Sequence, residues 1–219
     1  MRIIAEVGST HGGRLELCKR AVDICVELKV DAVKFQLFPN KAPFVGSGNV
    51  WLPPDIFLET VEYAHEQNMQ CSASVFDEDS FEFLLSTSPD FIKFAYSKKD
   101  RLDWIKDTLS NGYEAIVSCD VMTEASLPKH ANLKKLLCIP QYPVYFQVAF
   151  DALFPRFDGF SDHTLGFEQS LLAMDAGAKI LEKHIKLSAN DSSCPDSHFS
   201  LSPAELATMV AHIRRKEMK

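Results

Sequence analysis

Residues 159–187 read GFSDHTLGFEQSLLAMDAGAKILEKHIKL. Two short apolar runs, Gly159–His163 and Lys179–Ile185, flank a segment with helical spacing, Phe167–Ala176. Short apolar runs bounded by turn residues read as buried strands, and a helix between two of them makes the strands parallel. The same alternation extends outward along the chain. Six more strand-like runs are Ile3–Gly8, Ala32–Phe38, Gln70–Phe76, Phe91–Ser97, Glu114–Cys119 and Lys134–Pro140. Helical patterns lie between most of them. Arg14–Lys29 spaces Leu17, Ala21, Ile24, Cys25 and Leu28 on one helical face, and Pro54–Gln67 begins with proline in a first-turn position. Asp79–Leu85 and Arg101–Leu109 follow. A last helix opens at Ser202, whose Ser-x-x-Glu spacing to Glu205 predicts a capping box. It ends in the basic run Arg214–Lys216, suited to the negative end of a helix dipole.

Eight such units predict a closed (β/α)8 TIM barrel, expected as a single domain over residues 1–219. No Gly-rich G-x-G-x-x-G run follows the first strand, which argues against a doubly wound dinucleotide fold. The irregular stretch Pro39–Pro53 is expected to overhang the active face, as long loops after barrel strands do.

Composition narrows the function classes. Hydrophobic residues make up 46% and charged residues 24%, a globular balance. The net charge of −7 with no basic run argues against nucleic acid. No apolar run is long enough to span a membrane, and the N-terminus MRIIAEVG enters a strand directly instead of forming a signal peptide. The six cysteines form no CxxC, and several sit inside apolar runs. Buried thiols in a reducing compartment, hence a cytoplasmic protein, are expected.

In a barrel of this kind the C-terminal strand ends carry the chemistry. The two-residue period of a strand puts Lys34 with Gln36, Ser161 with His163, and Glu182 with His184 on the inward face. His163 and His184 end neighbouring strands and can reach one divalent ion; hydrogen bonds to loops are the other reading. Lys34 and Lys93 lie inside apolar strands, where a lysine needs a bound anion or an internal partner such as Glu6 or Glu182. Ser74, Ser118 and Ser161 can add hydroxyl donors. Glu6 and Asp196 are candidate acid–base or hydroxyl-binding groups, with a turn role open for Asp196. His11 reads as a loop histidine near the mouth. His65, His130 and His212 read as surface residues, and His198 stays open.

The blocks AEVGSTHGG, DAVKFQLF, IKFA, the Tyr142-Pro143 pair, GFSDHTLGFE, AGAKILEKHIKL and PDSHFSLSP run in order from residue 3 to about residue 205. Together they resemble the catalytic barrel of the sialic acid (N-acetylneuraminate) synthases. The resemblance implies condensation of phosphoenolpyruvate with the aldehyde of an N-acylated sugar such as N-acetylmannosamine, giving a nonulosonic acid and phosphate. It implies a divalent ion, manganese with magnesium or cobalt as alternatives, held by His163 and His184. Lys34 and Ser74 match the neighbourhood of the phosphoenolpyruvate carboxylate, and Lys93, Ser118 and Ser161 match phosphate contacts. Glu6, Gln36, Tyr142 and Asp196 match the sugar side, and Glu182 matches a glutamate beside the metal. Lys93 and Asp196 count with Glu6 and Lys34 as the catalytic candidates. A homodimer is the implied assembly.

The departures are local. Where the family reads K-I-x-S-x-E, this chain reads Lys93-Phe94-Ala95-Tyr96-Ser97-Lys98. The phosphate-side serine stands as Tyr96 or has shifted to Ser97, and the glutamate is Lys98. The asparagine two residues before the conserved-motif tyrosine is Pro140, and the N-H-N-G run is Thr10-His11-Gly12-Gly13. The family's C-terminal antifreeze-like domain, which lends an arginine to the sugar site across a domain-swapped dimer, has no match here. A non-catalytic anion- or metal-binding barrel, or a barrel with another sugar-acid substrate, are the alternative readings.

Overall fold

The computed structural model describes residues 1–39, 50–150, 153–154, 156–191 and 194–218. Its strands are β1 Arg2–Glu6, β2 Ala32–Leu37, β3 Gln70–Val75, β4 Ile92–Phe94, β5 Ala115–Cys119, β6 Leu133–Cys138, β7 Gly159–Asp162 and β8 Ile180–His184. Each strand pairs in parallel with the next, and β8 pairs with β1, so the sheet closes into the expected barrel. Among the described residues the helices are α1 Leu15–Glu27, α2 Pro54–Glu66, α3 Glu78–Ser86, α4 Leu102–Ser110, α5 Glu168–Asp175 and α6 Pro203–Glu217.

These six helices fall on the six segments read as helical from the sequence. The β5–β6 connection, which carries no such pattern, forms only a 3-10 turn at Glu124–Ser126, and the described part of the β6–β7 connection forms no α-helix. Pro128 stands in the first segment, and Pro140 and Pro143 stand in the second, where each removes a helix donor. Strand β4 is shorter than Phe91–Ser97. Ala95 leaves the ladder and Tyr96–Lys98 turns into a 3-10 helix. Residues 40–49 of the expected overhanging loop lie outside the described residues; at its end Val50 and Leu52 are buried.

The inward face is built in layers by the two-residue period. Ile4, Ala32, Phe91, Ile116, Leu136 and Ile180 form an apolar floor. Two residues further along the strands come Glu6, Lys34, Lys93, Ser118, Cys138 and Glu182, all buried. A second, larger cluster lies between the strands and the helices. It includes Trp104, which stacks on Phe81 at 5.1 Å and donates its indole N–H to Glu78. Both faces of each strand are therefore occupied, as an all-parallel sheet requires.

Caps and end contacts fix where the helices begin and stop. Ser202 and Glu205 form the predicted capping box on α6, and Asp77 with Ser80 caps α3 in the same way. Such a cap contributes about 1 kcal/mol. Arg214 does more than face a helix dipole: it bonds the carboxylate of Asp31 at 2.6 Å and the carbonyl of Met1 at 2.8 Å, pinning α6 to the N-terminal end of the barrel.

Gly159 belongs to the crowded floor. A Cβ there would sit 2.0 Å from the backbone oxygen of Ile180 on the neighbouring strand. Backbone cannot yield as a flexible side chain does. Gly159→Ala is expected to lower unfolding free energy by about 3 kcal/mol in urea titration. Gly112→Ala, with φ +85 but nothing within 4 Å, should lose only the backbone-strain cost of about 1 kcal/mol.

Candidate active site at the barrel mouth

Strand register brings the polar layer together. Glu6 is the Cα partner of both Lys34 and His184, Ser74 of both Gln36 and Lys93, and Ser161 of both Cys138 and Glu182. The Lys34 ammonium rests against the Glu6 carboxylate, donates to Ser74 Oγ at 2.7 Å and lies 3.7 Å from Glu182. Lys93 donates to Ser118 Oγ at 2.7 Å and lies 3.5 Å from the other Glu182 oxygen, which also accepts from Ser161 Oγ at 2.7 Å. The internal ion pairs weighed from the sequence thus form. Burial alone would raise the Glu182 carboxyl, but Lys34, Lys93 and the Ser161 hydroxyl outweigh it and hold it at about 2. Burial lowers the Lys34 ammonium to about 7 against the pull of Glu182.

Formal charges in this chamber cancel: two ammonium groups face the carboxylates of Glu6 and Glu182. A polyanion entering it needs further positive charge. The rim above supplies neutral ligands for such a charge. His163 and His184 have ring centroids 5.6 Å apart. Burial lowers His163 to about 4 and His184 well below its ordinary value, so both stay neutral imidazoles, the form that binds metal. His163 Nδ1 lies 3.1 Å from the Ile139 carbonyl, which fixes the tautomer and leaves Nε2 as the lone-pair nitrogen. His184 Nδ1 is buried with no hydrogen-bond partner, 3.8 Å from Asp196 Oδ2. The donor set fits a divalent ion of intermediate softness whose remaining positions are open to water or substrate. Among the described residues no group of three or more His, Cys, Asp or Glu side chains converges for a metal, so the protein share of the ligands stays small.

Two cavities meet at this rim. The inner one, about 20 Å³, is lined by the ionic cage and the serines. The outer one, about 330 Å³, is lined by polar Ser9, Gln36, His184 and Asp196 and by apolar Phe38, Val50, Phe76 and Pro195. Phe38 and Phe76 stack at 4.0 Å. All twelve residues singled out from the sequence line one cavity or both: Glu6, Lys34, Gln36, Ser74, Lys93, Ser118, Tyr142, Ser161, His163, Glu182 and His184 the inner, and Asp196 the outer. The Asp196 carbonyl accepts from Ser200 in a turn while its side chain faces the pocket, so both readings of that residue apply. Burial raises its carboxyl.

Residues of the same motifs that alternate outward do other work. Asp162 and Lys183 lie 3.3 Å apart behind the sheet, and Asp162 also accepts from Thr164 and Ser170, which ties the β7 end to α5. Lys98 lines neither cavity. Tyr96, which the resemblance puts in place of the phosphate-side serine, lines both cavities and Ser97 the outer one, whereas sequence reasoning missed Ser9, Phe38, Phe76 and Cys138 as lining residues. Alternation from Leu136 to Cys138 was the available signal for the last.

His11 is fully buried against Phe35 and not on the cavity wall. Its Nδ1 accepts from Gly13 N at 2.9 Å, and its Nε2 has no partner. Burial lowers it from 6.5 to about 4. A base held neutral in the fold takes its proton first in the unfolded chain, so stability is lost as pH falls from about 6.5 towards 4. His11→Gln should therefore make urea stability less sensitive to pH, narrowing the difference between pH 7 and pH 5 by about 2 kcal/mol. An unchanged difference would show that His11 does not carry the acid sensitivity.

Comparison with known proteins gives a family match. The model described as the NeuB family covers residues 47–219. The N,N'-diacetyllegionaminic acid synthase of Legionella pneumophila is 30% identical over 98% of this chain and 72% of its own length. Human N-acetylneuraminate-9-phosphate synthase is 29% identical over 98% of the chain and 70% of its own length. Among solved structures, the spore coat polysaccharide biosynthesis protein SpsE of Bacillus subtilis superposes with a TM-score of 0.85 at 29% identity, covering 99% of this chain and 68% of that one.

Proposed function

The chain belongs to the NeuB family, and from that premise we propose that it condenses phosphoenolpyruvate with the aldehyde of an N-acyl sugar, giving a nonulosonic acid and phosphate. The observation that carries the reading is the buried Lys34–Glu182–Lys93 cage directly beneath two neutral imidazoles. Lys34 and Ser74 bind the substrate carboxylate, while Lys93, Ser118 and Ser161 bind the phosphate. That places the enol carbon at the rim, facing the outer cavity, where Gln36, Tyr142 and Asp196 receive the sugar.

When bound at His163 and His184, a divalent ion, for which we propose manganese with magnesium and cobalt as alternatives, supplies Lewis-acid polarisation of the aldehyde. The enol C3 attacks the aldehyde carbon, and the aldehyde oxygen takes a proton. Glu182 stays ionised and cannot give one; Asp196, on the wall of the outer cavity, is the group that relays it to the aldehyde oxygen. The charge left at C2 resembles an oxocarbenium ion. Water adds there and Glu6 accepts one of its protons. The C2–O bond to phosphate then breaks as the remaining C2 hydroxyl proton passes to the leaving oxygen, giving the C2 carbonyl and hydrogen phosphate. Lys93 neutralises the departing dianion.

Six unpaired cysteines favour a reducing cytoplasm. No described helix is long and apolar enough to cross a membrane. Tyr145, Phe146 and Leu165, half or more exposed, offer an apolar surface for the homodimer we propose. The charge-balanced cage and its 20 Å³ of room favour one second reading, a barrel that binds anions without turnover. Phosphate release from phosphoenolpyruvate with manganese and a panel of N-acyl sugars decides between them. Many turnovers per protein support the synthase; none with any sugar refutes it.

A further inference from the structure

The two cavities share a wall, and one residue of that wall beyond the strand ends is fixed by side-chain contacts of its own. Tyr96 lines both the inner cage and the outer pocket. Its phenol donates to Asp120 Oδ2. The Lys99 ammonium lies 4.3 Å from its ring centroid, a cation–π contact. Its backbone opens the 3-10 turn in which Lys98 N bonds Ala95 O at 2.8 Å. Asp120 is itself immobilised. Its Oδ1 accepts from Met122 N at 2.9 Å, Thr123 N at 2.9 Å and Thr123 Oγ1 at 2.8 Å. Tyr142 also lines both cavities; its ring lies 4.0 Å from that of His163 and is half exposed.

We propose that Tyr96 is the residue that determines which acceptor sugar this enzyme takes, and that Asp120 is the residue that positions it. The inference rests on the synthase reading of the same mouth. The acceptor, lodged in the outer cavity, must reach the enol carbon past the wall that the two cavities share, to which Tyr96 and Tyr142 contribute. A wall fixed beforehand needs no ordering when substrate arrives, so it sorts acceptors by size at little cost to the preferred one. The Tyr96 hydroxyl is already committed to Asp120, which keeps its proton in place; the phenol is pushed up to about 12 by that bond. Tyr96 therefore acts by shape and not as an acid.

The test is a set of five variants, four single and one double, assayed against N-acetylmannosamine and analogues with progressively longer N-acyl chains. Tyr96→Ala should reverse the preference, raising the KM for the short acyl sugar about tenfold relative to the long one. Tyr96→Phe keeps the ring and frees it. It should raise the acceptor KM several-fold with kcat close to wild type, whereas loss of a general acid would cost about two orders of magnitude or more in kcat. Asp120→Ala should match Tyr96→Phe, and the double variant should be no worse than either. Asp120→Asn, which still bonds the turn amides and the phenol oxygen, should restore the wild-type profile. Calorimetric binding of the corresponding sugar alcohols, which lack the aldehyde and cannot react, gives the same profile without turnover. Failure of the synthase reading therefore appears as absent phosphate release, separately from failure of this one. An unchanged acyl-length profile in Tyr96→Ala, or a large kcat loss at constant KM in Tyr96→Phe, overturns the proposal.

Discussion

Lys93→Ala is expected to lower kcat/KM for phosphoenolpyruvate by about two to four orders of magnitude and to leave the barrel folded. The Lys93 ammonium is 1% exposed. Its donors reach only Ser118, the Phe94 carbonyl and the neighbouring Glu182. A charge so placed meets a phosphate with little intervening water, where its field is strong. The same burial means that no surface lysine can substitute. The fold survives because Glu182 retains Lys34 and the Ser161 hydroxyl. Initial rates of phosphate release against substrate concentration measure the loss. A variant within threefold of wild type would remove Lys93 from the account.

Glu182→Leu attacks the same cage from the other side, and stability is the larger casualty. Glu182 is the counter-ion that Lys34 and Lys93 share. Without it Lys34 keeps Glu6, but Lys93 keeps only neutral partners. An uncompensated buried charge costs about 3–5 kcal/mol, a large part of a domain's stability. Urea titration should show that loss. Inorganic phosphate should then stabilise the variant more than the wild type, because binding to the folded state alone adds RT ln(1+[L]/Kd) and the cage has become net positive. A loss below about 1 kcal/mol would mean the two lysines are not held charged by this carboxylate.

Much of this site could be read from the chain because it lies on strands. Alternation alone turns Lys34, Gln36, Ser161, His163, Glu182 and His184 inward, and register sets them side by side. The eight-strand closure follows from the same periodicity. What alternation does not reach is the backbone after a strand ends. Tyr96 and Lys98 belong to a 3-10 turn, so their directions follow turn geometry, and a period of two says nothing about them. That is why Lys98, which stands where the resembling family has a glutamate, lines neither cavity, while Tyr96 lines both. Ser9 is similar: it follows Gly8, whose φ of +58 redirects the chain at the end of β1. The connections after β5 and β6 carry no helical pattern in the sequence, and neither forms an α-helix among the described residues.

Tolerance of different acceptors is built into this division. The cage is made of strand residues that the barrel closure dictates, whereas the outer pocket is made largely of residues beyond the strand ends. Relatives named for a legionaminic acid and for a neuraminate 9-phosphate lie at similar identity to this chain, 30% and 29%. Overall similarity therefore does not choose the acceptor, and the pocket wall must.

The central claim is that one mouth holds the phosphoenolpyruvate and the metal together. Crystals soaked with manganese and phosphoenolpyruvate test it most directly, with anomalous scattering locating the manganese. The account predicts manganese bound by His163 and His184, with the phosphate on Lys93 and Ser118 and the carboxylate on Lys34 and Ser74. Manganese elsewhere, or phosphoenolpyruvate bound with its phosphate away from Lys93, would contradict it.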